Sequence, residues 1–483
     1  MYKKGYFCNP ILEIMIRKNI IRPLIILVVL LISSVTATAD KKIYLLSDIH
    51  VMSEELLDSP DNQAWQAYLA DSKKMVDQSV PIFNKLCSLI IAEKPDLLLI
   101  TGDMTKDAEK ASHEYVIKKL TEIEAAGIPV LVIPGNHDRG WQPDGKVYQN
   151  NTTEDANLVS DKRFPEYYKD FGYGEGSELH GTTLTYATEV WTGLTLIGID
   201  SGQTATVDED AVTWACTKAK EAKDKGQQVI AMMHHALLPH IYGQELIHVN
   251  SVVSNNEEIR DQLMAAGVKV MLTGHYHISD ITRYTNPQGQ EIYDVCTGSP
   301  IAYPCDYRVL TFNDDFSRLK ISTKSVTEIN EIPNFNDYAK GRLHQAVETW
   351  AAKRFTFSEI GFINALAASI VADIFIVHAE GNEPQSDNSA LMSQFANIAP
   401  EGFNEIIQSM LGDYPSPEEK DNVVDDRELT ITMPAIPTAI HQLPTTPVAD
   451  QPVWYTLQGV RLNSVPTLPG IYLKNGQKVI VSH

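Results

Sequence analysis

The 483 residues are too many for a single hydrophobic core, so two or three domains are expected. An apolar fraction of 43% is that of a globular body. The formal net charge of −22 argues against a nucleic-acid surface, which needs Lys and Arg to meet phosphates, although solvation alone also accounts for the acidity.

Residues 1–39 read as an export signal. Lys3, Lys4, Arg17, Lys18 and Arg22 give a positive front, residues 23–32 are apolar, and residues 35–39 offer small side chains for cleavage before Asp40. The apolar run is short for a membrane span, and Met15 is an alternative start. Removing the segment takes away five basic residues and Glu13 and leaves a net charge of −26. Cys8 leaves with it. Cys87, Cys216, Cys296 and Cys305 remain, and an exported protein is free to pair them. Cys296 and Cys305 flank one loop and are the pair to test, with buried free thiols as the plainer reading. No Cys/His spacing suggests structural zinc.

The mature chain then repeats one pattern five times: a short aliphatic run hands polar residues to a turn. Residues 43–46 lead to Asp48 and His50, residues 96–100 to Gly102-Asp103, and residues 130–133 to Gly135-Asn136-His137-Asp138. Residues 229–232 lead to His234-His235, and residues 268–272 to Gly274-His275-Tyr276-His277. Runs with no polar face are strands covered on both sides by helices. Their carboxyl ends are where open α/β sheets place ligand sites. Helical spacing fills the gaps at 65–92, 109–126, 208–225 and 255–266, while 183–200 reads as a hairpin and 281–324 alternates as further strands. Residues 140–182 show little period and read as a long loop. Together these give an α/β layered body over 40–325.

Beyond it, residues 330–430 read as helical, with 338–355 and 359–379 amphipathic. Trp350, Phe355, Phe357 and Phe362 would pack this region on the catalytic body, or shape a cap over a pocket. Residues 433–450, rich in Pro, Thr and Ala, read as a linker. Residues 451–483 form a small β tail with Asn475-Gly476 as a hairpin turn.

The five turns carry the chemistry. Asp48, His50, Asp103, Asn136, His234, His275 and His277 offer carboxylate, amide and imidazole donors that suit Zn, Fe or Mn better than Ca. Seven donors are too many for one tetrahedral ion and suit two ions sharing a carboxylate, a known device for phosphate-ester hydrolysis. His113 reads as structural, His235 as a residue that lines the site at most, and His180, His240 and His248 as loop histidines that could meet substrate.

In this order the five motifs resemble the signature of the calcineurin-like metallophosphoesterases over about residues 43–280. The resemblance implies a four-layer αββα sandwich. It implies one ion on Asp48, His50, Asp103 and His277, and a second on Asp103, Asn136, His234 and His275. It also implies that His137 protonates the leaving oxygen or steadies the transition state, with Asp138 orienting it. The motif set resembles the cyclic-nucleotide phosphodiesterase-like branch, so the expected substrate is a small phosphodiester attacked by a hydroxide between the metals. Phosphomonoesterase or nucleotide pyrophosphatase activity is the alternative, with a nuclease or a non-catalytic metal-binding surface protein behind it. The β tail resembles C-terminal sorting or attachment segments of exported Bacteroidetes proteins, which implies a periplasmic, cell-surface or secreted enzyme.

Overall fold

The computed structural model describes residues 40–140, 145–355, 361–381, 383, 388–396, 403–420 and 422–434, with 454–456, 461–462, 465–467, 470–474 and 477–481. The export signal, Cys8, Phe357, the linker from residue 435 and the 475–476 turn lie outside the described residues, as does the side chain of Phe362.

Strands β1 (Lys41–Leu46), β2 (Leu97–Ile100) and β3 (Val130–Val132) precede a hairpin of β4 (Lys146–Gln149) and β5 (Thr152–Asp155). Then come β6 (Ser177–Leu179), β7 (Tyr186–Trp191), β8 (Leu194–Gly198), β9 (Gln228–Met232) and β10 (Val270–Thr273). β11 (Asp280–Thr285), β12 (Glu291–Cys296), β13 (Asp306–Phe312) and β14 (Arg318–Ser325) follow, with β15 (Glu428–Thr432) far downstream. The helices are α1 (Gln63–Asp71), α2 (Ser79–Glu93), α3 (Lys110–Ala125), α4 (Glu209–Asp224) and α5 (Asn256–Ala266). After β14 the chain adds α6 (Phe335–Arg354), α7 (Gly361–Glu380), α8 (Ser389–Ala396) and α9 (Phe403–Gly412).

Two sheets form. One has the order β15-β14-β13-β1-β2-β3, the other β11-β12-β10-β9-β8-β7-β6. β1, β2 and β3 are mutually parallel, as are β8, β9, β10 and β12, so each sheet lines up its loop-bearing ends. Side chains alternate between faces along a strand. On one face Leu196, Ile230, Met232 and Leu272 join Leu45 and Leu99 in the core between the sheets. On the other, Ile197, Val229, Ala231 and Met271 pack under Val212, Ala215 and Ala219 of α4 and Ile259 and Leu263 of α5. α2 turns Ile82, Phe83, Leu86 and Ile90, spaced for one helical face, into the same core as β1. Each such fully buried aliphatic side chain is worth about 1.5–3 kcal/mol. The result is the αββα sandwich.

Three segments depart from their sequence-based reading. The helical span 65–92 breaks into α1 and α2, because the Ser72 hydroxyl accepts the Lys74 amide at 3.1 Å and donates to the Lys74 carbonyl at 3.0 Å, closing a local turn. The expected loop at 140–182 contains the β4–β5 hairpin and β6. Its two-residue turn is Asn150-Asn151, both at positive φ (54° and 61°), the conformation that a primed hairpin turn requires. The span 330–430 ends in a strand rather than a helix, since β15 pairs antiparallel with β14 from Arg318↔Thr432 to Ser322↔Glu428. All four described cysteines are free and buried, so Cys296 and Cys305 do not pair.

Helices α6, α7 and α9 pack Val347, Ala351, Ile374, Phe375, Ile407 and Met410 on Ile241, Tyr276 and Cys296 of the body. Residues up to Ile436 form one compact unit. Residues 437–483 form a second, whose strands β16 (Trp454–Thr456), β17 (Arg461–Leu462), β18 (Gly470–Lys474) and β19 (Gln477–Val481) make an antiparallel sheet in the order β17-β16-β18-β19. Among the described residues no helix is long and apolar enough to cross a membrane.

Candidate metal centre

The loops after β1, β2, β3, β9 and β10 meet at one point. Asp48, His50, Asp103, His275 and His277 all hold positive φ, between 43° and 67°. None is glycine, and each such conformation costs about 1–3 kcal/mol, a strain that clusters at functional sites. The bends turn residues two apart in sequence, 48 with 50 and 275 with 277, toward a common centre. Two glycines let the loops close in. A Cβ at Gly135 would sit 2.1 Å from Asp103 Oδ1, and one at Gly274 would sit 1.8 Å from Ser47 Oγ.

Two donor cages result. In the first, His277 Nε2 lies 3.2 Å from both Asp48 Oδ1 and His50 Nε2, and His50 Nε2 is 3.5 Å from Asp103 Oδ2. In the second, His234 Nε2 lies 3.1 Å from Asn136 Oδ1, 3.1 Å from His275 Nδ1 and 3.3 Å from Asp103 Oδ2. Asp103 Oδ2 stands between the two.

Each carboxylate is held by one oxygen and leaves the other free. Asp48 Oδ2 accepts the His275 amide at 2.8 Å and the Ser47 hydroxyl at 2.6 Å, while Asp103 Oδ1 accepts the His137 amide at 2.7 Å. Among the described residues, Asp48 Oδ1 and Asp103 Oδ2, on residues that are 0% and 1% exposed, have no hydrogen-bond partner. Leaving buried charge unmet costs several kcal/mol, which a bound cation would remove. The Thr101 carbonyl, 2.8 Å from His234 Nδ1, fixes the tautomer that turns the Nε2 lone pair inward. Against the effect of burial, Asp103 and Asp48 draw His234 up to about 9, a sign of how negative the centre is. Burial, reinforced by Lys74, pushes His50 down to about 3, so it stays neutral as a metal ligand must. The mixed nitrogen and oxygen donors fit two transition-metal ions.

His137 is half-buried beside the first cage, its ring edge-on to His50 at 4.9 Å. Its Nδ1 lies 2.7 Å from Asp107 Oδ1. Desolvation works against its charged form, but Asp103 and Asp107 outweigh it and hold the ring above its ordinary value. Asp138 does not reach this ring, a correction to the expected role. Its carboxylate accepts the amides of Gly135, Met104 and Thr105 at 2.9–3.1 Å and is consumed in closing the turn. Asp107, which also meets Lys106, orients His137 instead. Its signal in the sequence was a second carboxylate four residues after Asp103 on the same loop.

Of the other histidines, His113 is structural: it meets the Tyr168 hydroxyl at 2.7 Å and the Asp138 carbonyl at 3.1 Å. His235 stands within the His234–His275 cluster, with Nδ1 taken by the Ser201 hydroxyl at 2.8 Å. His180 bonds Thr183, and His240 bonds Asp280, both outside the two cages. His248 does line the centre, its ring 4.8 Å from that of His275. Lys74 was not foreseen. The break between α1 and α2 aims its Nζ at the first cage, 3.2 Å from His50 Nε2. A cavity of about 440 Å³ opens beside His277, lined by Lys74, His248 and Tyr276 of the body and by Val347 and Phe375 of the helical region.

Residues 41–279 match the family model described as calcineurin-like phosphoesterase. A protein of Fibrobacter succinogenes named a probable cyclic nucleotide phosphodiesterase is 24% identical over 274 residues, covering 54% of this chain and 91% of that protein. Among solved structures, a dimetal phosphatase from Danio rerio matches with a TM-score of 0.43 at 13% identity, over 59% of this chain and 96% of that one. GAP50, the anchor in the inner membrane complex of Plasmodium, matches with a TM-score of 0.33 at 10% identity, over 64% and 95%.

Proposed function

We propose, from the premise that residues 41–279 are a calcineurin-like phosphoesterase domain, that the protein is an exported two-metal enzyme that hydrolyses phosphodiesters. The observation that carries this reading is Asp103 Oδ2, buried, unpartnered and placed between His50 of one cage and His234 of the other. Asp48, His50, Asp103 and His277 would hold one ion, and Asp103, Asn136, His234 and His275 the second. Two such ions, when bound, would supply Lewis acidity toward the phosphoryl oxygens and lower the pKa of a water to near neutrality.

The protein's own groups do the rest. Asp107 fixes the proton on His137 Nδ1, so that Nε2 delivers its proton to the departing ester oxygen, a role worth about 10²–10⁴ in rate. Lys74 offers an ammonium to the anionic oxygens of the substrate. The preference for a diester rests on the cavity at His277, which gives a second ester arm somewhere to go. The name of the Fibrobacter succinogenes relative agrees with a small phosphodiester as substrate. Export rests on the basic front and apolar core of residues 1–39, with residues 451–483 as a means of attachment to the cell surface, and a nuclease is disfavoured by the acidic mature chain.

Turnover of a bis-aryl phosphodiester and of the matching monoester, on metal-free protein reloaded with Mn, Zn or Fe, tests the reading. Metal-dependent cleavage that favours the diester supports it. Preference for the monoester would make the enzyme a phosphatase, and inactivity with two ions bound would leave a metal-binding surface protein.

A further inference from the structure

Away from the two cages, four acidic residues meet in the interior where the helical region returns to the body. Asp280 opens β11, Glu383 follows α7, Asp413 follows α9, and Asp426 precedes β15. They are between 1% and 5% exposed. One carboxylate oxygen from each of Asp280, Asp413 and Asp426 falls within 4.8 Å of the others. Glu383 stands beside this trio and adds to its negative field.

Among the described residues, imidazoles meet two of these carboxylates and a backbone amide meets a third. Asp280 Oδ1 is 2.7 Å from His240 Nδ1, Glu383 Oε1 is 2.6 Å from His378 Nδ1, and one Asp426 oxygen accepts the Ile281 amide at 2.6 Å. Among the described residues, Asp280 Oδ2 and Glu383 Oε2 are left buried with no hydrogen-bond partner. The neighbouring Arg308 gives its guanidinium to the carbonyls of Cys296, Asp280 and Asp426 and to the Thr323 hydroxyl, not to these carboxylates. Burial, followed by repulsion from Asp280 and Glu383, pushes Asp413 up to about 9. Carboxylates held so close must either share protons or hold a cation.

We propose that Asp280, Asp413 and Asp426, with Glu383 beside them, form a calcium site separate from the catalytic pair, which clamps the helical region onto the phosphoesterase body. Calcium is the ion because the converging donors are all oxygens and come from three chain segments, which suits its large and flexible shell. Mg would demand an octahedron that usually keeps several waters, and Zn or Fe would favour the nitrogen donors of the other centre. One ligand residue comes from the body and two from beyond α7, so binding would stabilise the arrangement in which Val347 and Phe375 wall the substrate cavity.

Elemental analysis of the full chain after equilibration with Ca and Zn tests this directly. The expected result is one Ca per chain beside the transition metals. In Asp413→Asn/Asp426→Asn the Ca should vanish with the transition-metal content unchanged, and in Asp103→Asn the reverse should hold. Tyrosine-sensitised Tb³⁺ emission offers a second readout on wild-type protein, independent of how the variants fold. It should appear at one equivalent, be displaced by Ca, and persist in Asp103→Asn. Wild-type protein that holds no Ca and gives no Tb³⁺ signal would overturn the proposal in favour of carboxyls sharing protons. So would a signal lost in Asp103→Asn but kept in Asp413→Asn/Asp426→Asn, since the ion would then belong to the catalytic centre.

Discussion

The strand-end loops of the body and the helical region after β14 serve one cavity in opposite ways. The loops concentrate polar groups under backbone strain: Asp48, His50, Asp103, His275 and His277 are all left-handed, and two carboxylate oxygens are left unpartnered. The helices supply unstrained apolar surface, with Val347 and Phe375 facing the same space. The donor groups are thus confined to rigid strand ends, where position is fixed by the sheets, and the apolar wall of the cavity is left to a separate layer. The two layers are joined by apolar packing and by many polar links, among them the Tyr242 N–H to the Ser409 hydroxyl at 2.6 Å, Arg342 to Asp77 at 3.2 Å and Arg427 to Asp306 at 3.1 Å.

Four substitutions break or sharpen that contrast, taken from the largest effect downward. Asp103→Asn removes the oxygen shared by both cages. Bound transition metal should fall below two per chain and metal-dependent turnover should be lost, with both read on the same sample. His137→Ala leaves all the proposed ligands in place, so metal content should hold while kcat falls about 10²–10⁴-fold with little change in KM. Metal loss in this variant would mean that the ring itself helps to hold the cage, since alanine keeps the backbone amide that meets Asp103 Oδ1.

Leu343→Ala, in the helical wall of the cavity, removes apolar contact worth about 1–2 kcal/mol. KM for a bulky aryl diester should rise about 5–30-fold, while a dimethyl phosphodiester is unaffected. Equal effects on both substrates would deny the wall any part in specificity. The smallest effect concerns stability. Burial pushes His113 down to about 3, so the unfolded chain takes up a proton that the folded one refuses. Between the ordinary histidine value and about 3, stability therefore falls as pH falls, by up to about 1.4 kcal/mol per pH unit for this one group. A His113→Gln variant should show a shallower loss in acid denaturation curves.

How legible each region was in the sequence follows from the same contrast. Asp48, His50, Asp103, Asn136, His234, His275 and His277 were readable because each follows an aliphatic run directly, so its place on the sheet rim is set by local order. The resemblance points to Asp138, the residue next to His137, whereas Asp107 lies thirty positions earlier, and only the folded turn decides which carboxylate is spent on backbone amides. Lys74 was hidden inside a helical pattern that breaks where Ser72 caps itself. His248 stands in the sequence with His180 and His240 as a loop histidine that could meet substrate, and nothing local singles it out from the other two.

The sequence by itself determined the five strand-and-turn units, their donors, and the layered α/β body, because hydrophobic period and chain order act over a few residues. Tertiary structure alone decided what the helical region does. Glu383, Asp413 and Asp426 lie 103 to 146 positions beyond Asp280, and Val347 and Phe375 lie 70 and 98 beyond His277. No local pattern brings such residues together. They meet because α6, α7 and α9 must bury their apolar faces against Ile241, Tyr276 and Cys296, and the packing of those faces carries the acidic turns with it.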